Sequence, residues 1–221
     1  MSDLDIIEEY KEYLANKDFP CVAARAALAR QQVKYFVAGH MACPKDDYLI
    51  LQFLYQFING YQQSEELFHS AVILFKGPEQ PNEALFDNLL WQRLQALADL
   101  DAREYPYDQR VAADPNAPDF SFSLKEEAMF VIGLHPGSSR PARQFRYPAL
   151  VFNPHAQFEQ MRENKGYAKM KNIVRKRDLA YSGSVNPMLT DYGTASEVYQ
   201  YSGQQYDKQW ACPLKINHAA A

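Results

Sequence analysis

The chain has 221 residues, 47% of them hydrophobic, which is enough for one large domain with a substantial buried core. Its 23 basic and 27 acidic residues give a net charge of -4, so electrostatics does not favour nucleic acid as the main partner. No apolar run approaches the ~18 residues of a membrane span, and the acidic, amphipathic N-terminus is unlike a secretory signal.

The N-terminal half alternates helical patterns with one strand pattern. Predicted helices cover 3–16, 21–37, 46–62 and 82–100, and a predicted strand covers 70–76. The second helix is predicted because its segment, CVAARAALARQQVKYFV, is rich in alanine, and Gly39 is expected to close it. The fourth has the clearest helical spacing of leucines, with Asn82 in the position of an N-cap.

A long loop is predicted over 104–119, a segment rich in acidic residues, prolines and tyrosines. Predicted strands follow at 120–124, 128–134 and 149–152. The first two are expected to form a hairpin that turns at Lys125-Glu126-Glu127. These strands predict a small antiparallel sheet in the middle of the chain.

A helix with an interruption at Gly166 is predicted over 154–180, and the chain is expected to be irregular over 181–221. With the N-terminal helix in 1–18, these elements predict one domain spanning 1–221. We expect an α+β fold in which several helices pack on a small, mainly antiparallel sheet.

The stretch FVIGLHPGSSRPARQF, residues 130–145, begins like a buried strand and ends like a charged loop. It delivers His135 to the strand end, where an imidazole suits an axial haem ligand or a general base; the alternative is a structural histidine bonded to loop backbone. Arg140 and Arg143 are spaced to bind carboxylates or phosphates, such as haem propionates, and their alternative is surface salt bridges. Arg146 is close enough to replace either.

The three cysteines, Cys21, Cys43 and Cys212, are too few and too scattered for a disulfide framework, and no C-x-x-C pair supports a four-thiolate zinc site. This predicts reduced thiols and a cytoplasmic location. Cys21 begins a predicted helix, where thiolate is favoured as a nucleophile or an iron ligand. The alternative for Cys21 is a small buried hydrophobic residue. The other two each precede proline and are weaker candidates.

Two carboxylates in the irregular segment, Asp191 and Glu197, are candidates to receive a cationic substrate such as a guanidinium; the alternative is a loop that satisfies its own backbone. His69 and His155 have no partner at the spacing of a helical zinc motif. No H-E-x-x-H, Walker, G-x-G-x-x-G or G-x-S-x-G motif is present.

A series of unusual sequence blocks runs in order from Phe19 to Leu214 and covers nearly the whole domain. The blocks are FPCVAARAAL, LLWQRLQALADLD, DPNAPDFSFSL, FVIGLHPGSSRPARQF, LVFNPHAQFEQMR, VRKRDLAYSGSVNPML, DYGTASEVYQYSG and WACPL. Together they resemble the YqcI/YcgG family. One departure is the Lys125-Glu126-Glu127 segment, where a tighter turn is expected.

The resemblance implies a haem-dependent N-hydroxylase that acts on arginine-like guanidino amino acids, with haem b as cofactor, O2 as co-substrate and a separate electron donor. His135, Arg140 and Arg143 fall in one block and Cys21 in another; we assign His135 as iron ligand, with Cys21 as the alternative. The substrate-binding candidates from the later blocks are Asp191, Glu197, Asn153 and Gln157.

The main hypothesis is therefore a cytoplasmic haem enzyme that inserts one oxygen atom at a nitrogen of a small cationic amino acid. A second hypothesis is a haem-binding or haem-handling protein without turnover. A third is an α+β interaction protein without cofactor, and a fourth is cysteine hydrolase chemistry at Cys21. None of the four predicts a nucleic-acid or membrane partner.

Overall fold

The computed structural model describes residues 2–163, 166–190, 193–207 and 209–218. These residues form six α-helices and one five-stranded sheet, which confirms the predicted single α+β domain. The helices are Asp3–Ala15 (α1), Val22–Ala29 (α2), Asp47–Gln62 (α3), Glu83–Asp101 (α4), His155–Glu163 (α5) and Gly166–Ser182 (α6). The strands are Val33–His40 (β1), Ser70–Gly77 (β2), Phe122–Leu124 (β3), Glu127–Leu134 (β4) and Ala149–Pro154 (β5).

The sheet has the order β1-β2-β5-β4-β3 and is mainly antiparallel, as predicted. Only the β1–β2 pair is parallel among the described strands, and α3 makes the crossover between them. The strand β5 lies at the centre, where Leu150 pairs with Ile73 of β2 and with Gly133 of β4. A strand buried on both faces needs apolar side chains throughout, which the sequence ALVF supplies.

The predicted helix over 21–37 is wrong after Ala29. The helix α2 ends there, Gln31 takes a positive φ of 59°, and β1 begins at Val33. The aromatic and β-branched residues of VKYFV favour a strand, and pairing with β2 stabilises it. Alanine favours a helix only as far as the alanine-rich segment extends.

The hairpin is confirmed, and its turn consists of two residues. Lys125 and Glu126 have φ values of 50° and 57°, as in the type I′ turns that match the twist of a two-stranded ribbon. The preceding loop is held to it by Asp108, whose Oδ2 accepts a hydrogen bond of 2.8 Å from the backbone of Ala128. The long loop at 104–119 is therefore attached to the sheet.

Helices cover both faces of the sheet. The helices α3 and α4 pack on one face around a large core that includes Phe86, Leu90 and Phe152. The helices α1 and α2 pack on the other face around a second core that includes Tyr10 and Leu134. The helices α5 and α6 extend this second layer, with α5 against β4 and α6 against α2.

Glycine at position 133 lets α4 approach the sheet closely. A Cβ at Gly133 would lie 2.6 Å from Cε1 of Phe86 and 2.9 Å from Cδ1 of Leu90. Because successive side chains of a strand point to opposite faces, the residues of β4 divide between the two helical layers. Val131 packs with α4, whereas Ile132 faces α1 and α2.

The C-terminal segment 209–218 packs along α4. Gln95 exchanges two hydrogen bonds of 2.8 Å with the backbone of Lys215, and Nε2 of His218 lies 3.0 Å from Oδ2 of Asp101. The segment predicted to be irregular over 181–221 thus includes the last two residues of α6 and this ordered return to α4. In the described part of the chain, no helix combines the length and apolar composition needed to cross a membrane.

Candidate functional site

A cavity of about 340 Å³ lies between the second face of the sheet and the helices that cover it. Most of its wall is apolar, and volumes of a few hundred Å³ are typical of small-molecule sites. Sheet residues such as Ile132 and Val151 form the floor, and α6 forms the roof with Tyr167, Met170 and Val174. A second apolar pocket of about 270 Å³ also contacts Met170, so the two adjoin.

The cavity collects six of the residues proposed from the sequence as cofactor or substrate ligands. They are Cys21, Arg140, Arg143, Asn153, Gln157 and Glu197. These residues come from α2, the 140–146 segment, β5, α5 and the short 3-10 helix at Glu197–Gln200. The fold therefore brings together side chains that are up to 176 positions apart in the sequence.

Cys21 is the N-cap of α2, and its Sγ accepts a hydrogen bond of 3.4 Å from the backbone of Ala24. Burial raises the pKa of the Cys21 thiol, and the hydrogen bonds from the helix N-terminus only partly oppose this effect. The thiolate that the sequence suggested is therefore not the favoured form. Cys21 faces the cavity as a neutral thiol.

His135 directly follows β4, as predicted, but it lies outside the cavity lining. Its ring stacks on Phe86 of α4, with centroids 4.3 Å apart and planes at 19°. The residue is buried, and burial lowers the pKa of its imidazole. The assignment of His135 as iron ligand stays a prediction, and the structure places this histidine in the contact between α4 and the sheet.

Arg140 and Arg143 both line the cavity, and both are already bonded to the protein. Nη2 of Arg140 donates to Asp178 Oδ2 at 2.7 Å and to the Ser184 carbonyl at 3.0 Å. Arg143 donates to the carbonyls of Gly133, Tyr201 and Gln200 at 3.2, 2.8 and 2.6 Å.

Burial lowers the pKa of Arg143 to about 10, so its guanidinium remains charged at neutral pH. Because carbonyls do not neutralise this guanidinium as a carboxylate would, the region around it favours an anion. Arg146, in contrast, is exposed and pairs with Glu9 at 3.0 Å.

Glu197 contributes a buried carboxyl group to the cavity lining. Its Oε1 accepts hydrogen bonds from the hydroxyls of Ser121 at 2.9 Å and Tyr201 at 2.5 Å. Burial raises the pKa of Glu197 to about 8, and the two hydroxyls only partly offset this rise. At neutral pH, the carboxyl group is therefore protonated unless a cation enters the cavity.

Two amide side chains also line the cavity. Oδ1 of Asn153 accepts a hydrogen bond of 2.6 Å from Ser70, and Nε2 of Gln157 donates to the His69 carbonyl at 3.1 Å. Oε1 of Gln157 is buried and has no hydrogen-bond partner among the described residues. A buried acceptor without a partner can be stabilised by a hydrogen bond from an N–H group of a ligand. The remaining substrate candidate, Asp191, lies outside the described residues.

His155 is a cavity residue that the sequence analysis did not select. It is the first residue of α5, where its Nε2 lies 3.1 Å from Glu159 Oε1 and its Nδ1 lies 3.9 Å from Glu197 Oε2. Burial lowers the pKa of His155, which favours the neutral imidazole. The sequence does carry a signal for this residue, a histidine shortly after a predicted strand with a glutamate four residues later.

Among the described residues, no three His, Cys, Asp or Glu side chains converge as a protein-only metal site would require. The cavity instead offers an imidazole at His155 and a thiol at Cys21 within a mainly apolar wall. This arrangement can hold an apolar ligand with a polar end and a guanidinium or ammonium group near Glu197.

Comparison with known proteins gives four results. A 25% identical relative is the Bacillus subtilis (strain 168) protein YqcI, aligned over 199 residues; the alignment covers 86% of this chain and 77% of the relative. A 24% identical relative from Streptomyces lavendulae is named "Putative N(omega)-hydroxy-L-arginine synthase DcsA", and the match covers 97% of this chain and 84% of the relative. No solved structure matches the chain. The model of the YqcI/YcgG family matches residues 10–215, so the chain belongs to the YqcI/YcgG family.

Proposed function

We propose that this protein is a cytoplasmic haem-dependent oxygenase that N-hydroxylates arginine or a related guanidino or amino compound. The observation that carries the proposal is one apolar cavity that contains an imidazole, a thiol and a buried carboxyl group. The cytoplasmic location is supported by the three cysteines, which are all free. The name of the Streptomyces lavendulae relative supports the substrate class.

The cavity residues fit a haem group better than an iron ion held by protein alone. A porphyrin supplies four of the iron ligands, so a single histidine or cysteine side chain completes the attachment. One imidazole or one thiol in an apolar wall meets this requirement, whereas a site with two histidines and a carboxylate would need three converging ligands. When bound, haem supplies the iron that activates O2.

Of the candidate ligands, His155 fits best. It faces the cavity, burial favours its neutral form, and Glu159 orients its ring in the way that carboxylates orient metal-binding histidines. Cys21 faces the same cavity, but burial raises its pKa and opposes the thiolate that iron requires. His135 is buried against Phe86, outside the lining.

The other polar residues divide into two groups by the charge that they would bind. Glu197 and Gln157 would bind a guanidinium, the first through its carboxylate and the second through its free Oε1. Arg143 and Arg140 would attract an anion, either a haem propionate or the carboxylate of the amino acid. The apolar wall excludes water, which strengthens both interactions.

Absorption spectra of the protein reconstituted with haem test the cofactor assignment. The spectra are recorded oxidised, reduced, and reduced with carbon monoxide, for the wild type and for His155→Ala, Cys21→Ala and His135→Ala. We expect a saturable Soret band that His155→Ala abolishes or shifts and that the other variants retain. A Soret band lost only in His135→Ala or Cys21→Ala would contradict the assignment of His155, and no saturable band in the wild type would refute haem binding.

Product analysis then separates an enzyme from a haem-binding protein. Transfer of one oxygen atom to substrate and reduction of the other to water consumes O2, two electrons and two protons. The haem-loaded protein is therefore supplied with arginine, O2 and dithionite, and N-hydroxyarginine is measured by mass spectrometry. Product that depends on all three components supports the proposal; stable haem binding without product would instead support a haem-handling role.

A further inference from the structure

The outer face of α6 differs in charge from the rest of the molecule. The helix contains five basic residues and one acidic residue, a net charge of +4, although the whole chain carries -4. Lys169, Ile173 and Lys176 recur at helical spacing and are all exposed, so they share one face. On the opposite face, Met170 and Val174 line the cavity.

Exposed apolar side chains accompany these lysines. Ile173 is 40% exposed and Leu179 is 52% exposed, and Val185 just beyond the helix is 37% exposed. In the part of the chain that the structure describes, neither Lys169 nor Lys176 takes part in an ion pair. Uncompensated charges of one sign can steer a partner of opposite charge to this surface, and the neighbouring apolar side chains can be covered on contact.

The helix is firmly attached beneath this surface. Arg177 donates to the Phe19 carbonyl at 3.1 Å, and Asp178 accepts from Arg140 at 2.7 Å. A protein bound to the outer face would therefore be separated from the cavity by one fixed helix, about 10 Å across. The cavity is closer to this face than to the surface of α3 or α4, which lies beyond the sheet.

We propose that the outer face of α6, formed by Lys169, Ile173, Lys176 and Leu179, docks a small acidic electron-carrier protein. The inference rests on the proposed oxygenase function, which requires two electrons for each turnover from a donor outside the chain. Opposite charges would steer the carrier to the helix above the cofactor cavity, and the apolar side chains would be covered on contact. Two lysines on an acidic protein form a small patch that suits a local acidic surface better than a long polyanion.

Binding of an acidic ferredoxin or flavodoxin to the full-length protein, measured by calorimetry, tests the docking site. Measurements are made at ionic strengths of roughly 0.01 M and 0.1 M, between which the Debye length falls from about 30 Å to about 10 Å. We expect Lys169→Glu/Lys176→Glu to raise the Kd at least about tenfold at low salt and much less at high salt. The matched control, Lys45→Glu/Lys215→Glu, makes the same change in net charge at exposed lysines away from α6.

Turnover driven by the carrier is compared with turnover driven by dithionite. The α6 variant should lose most of its carrier-driven rate and keep its dithionite-driven rate, because dithionite needs no docking surface.

If both variants weaken binding equally, or if neither does, the docking site is refuted while dithionite-driven product still supports the oxygenase. Lysine-dependent binding to anionic lipid vesicles, without binding to the carrier, would also refute the proposed docking site. Absence of dithionite-driven product would count against the oxygenase, and the calorimetry would still decide the docking site.

Discussion

Glu197 is a single residue that couples the chemistry of the cavity to pH. Burial raises its pKa to about 8, above the ordinary glutamate value of 4.5, although Tyr201 and Ser121 hydrogen-bond to it. A guanidinium binds the carboxylate and not the neutral acid, so binding requires the loss of this proton. The affinity for a cation should therefore depend on pH in a range where free guanidinium does not titrate.

We predict that the apparent affinity for arginine rises about tenfold per pH unit below pH 8 and levels off above it. Calorimetric titration between pH 6 and pH 9 measures this, and Glu197→Gln should bind weakly with little pH dependence. The stability should change in the opposite direction: since the folded pKa is raised, the contribution of Glu197 is present below about 4.5 and is lost as pH rises to about 8. A pH dependence of arginine binding that Glu197→Gln retains would contradict this role.

Gly203 supports Arg143 through the space it leaves. It has a φ of 87°, and a Cβ there would lie 2.8 Å from Cδ of Arg143. Gly203→Ala should therefore introduce both backbone strain and a steric clash. Together they should lower the free energy of unfolding by about 2–4 kcal/mol.

Gly183 is the matched control, because it also has a positive φ, 74°, but has no atom within 4 Å of the added Cβ. Gly183→Ala should cost only about 1–2 kcal/mol for the backbone. Urea unfolding of both variants measures the difference. Equal losses would show that the Arg143 side chain yields to the methyl group without cost.

The sequence identified most residues of the candidate site but not the directions in which their side chains point. The blocks around Cys21, Arg143 and Glu197 named side chains that do meet at one cavity. The direction of each side chain depends on packing, which a single sequence does not display: His135 turns toward α4, whereas His155 turns toward the cavity. The effect of burial on Cys21 was likewise hidden, because a helix N-terminus and a buried position shift a thiol pKa in opposite directions.

At the scale of whole elements, local sequence patterns were sufficient to predict a helix or strand where the segment clearly favoured one of the two. The leucine spacing of α4 and its N-cap were predicted correctly, and Asn82 Oδ1 accepts from Leu85 at 2.8 Å. The boundary between α2 and β1 was not predicted, because the alanine-rich run passes into VKYFV without a glycine or proline between them. Parallel pairing with β2, 37 residues later, decides the structure there.

The attachment of α6 depends on Asp178. This carboxylate accepts from Arg140 at 2.7 Å, from Ser182 at 3.0 Å and from the backbone of Asn186 at 3.2 Å. We predict that Asp178→Ala leaves the buried Arg140 unpaired, costs about 3 kcal/mol and speeds hydrogen exchange throughout α6.

Hydrogen exchange in α4 provides the internal reference for this variant, because α4 lies on the other face of the sheet. Asp178→Asn keeps one acceptor oxygen, which can serve either Ser182 or Asn186, so its effect should be smaller. Unchanged exchange in α6 after Asp178→Ala would show that Arg177 and the apolar contacts suffice to hold the helix.

At the scale of the whole molecule, the C-terminal segment and the cavity are on opposite faces of the sheet. The buried pair His218 and Asp101 closes the segment onto α4, and Tyr55 also donates to Asp101 at 2.7 Å. Stability and ligand binding should therefore respond separately to changes at this pair.

We predict that His218→Ala lowers the free energy of unfolding by about 3 kcal/mol without changing the arginine affinity or the haem spectrum. Denaturant unfolding and binding titrations measure the two effects. The double variant His218→Ala/Asp101→Asn should lose less than the sum of the single variants, because it leaves no buried carboxylate without its partner. Additive losses, or a change in the haem spectrum, would argue against this separation.

The central position of β5 has a consequence for synthesis of the chain. β2 ends at Gly77, but the strand that completes its second edge ends only at Pro154. At translation rates of roughly 5–20 residues per second, β2 waits on the order of ten seconds for this neighbour. During that interval, its free edge is open to pairing with another nascent chain. The yield of folded protein should therefore depend on how quickly the ribosome delivers residues 149–154.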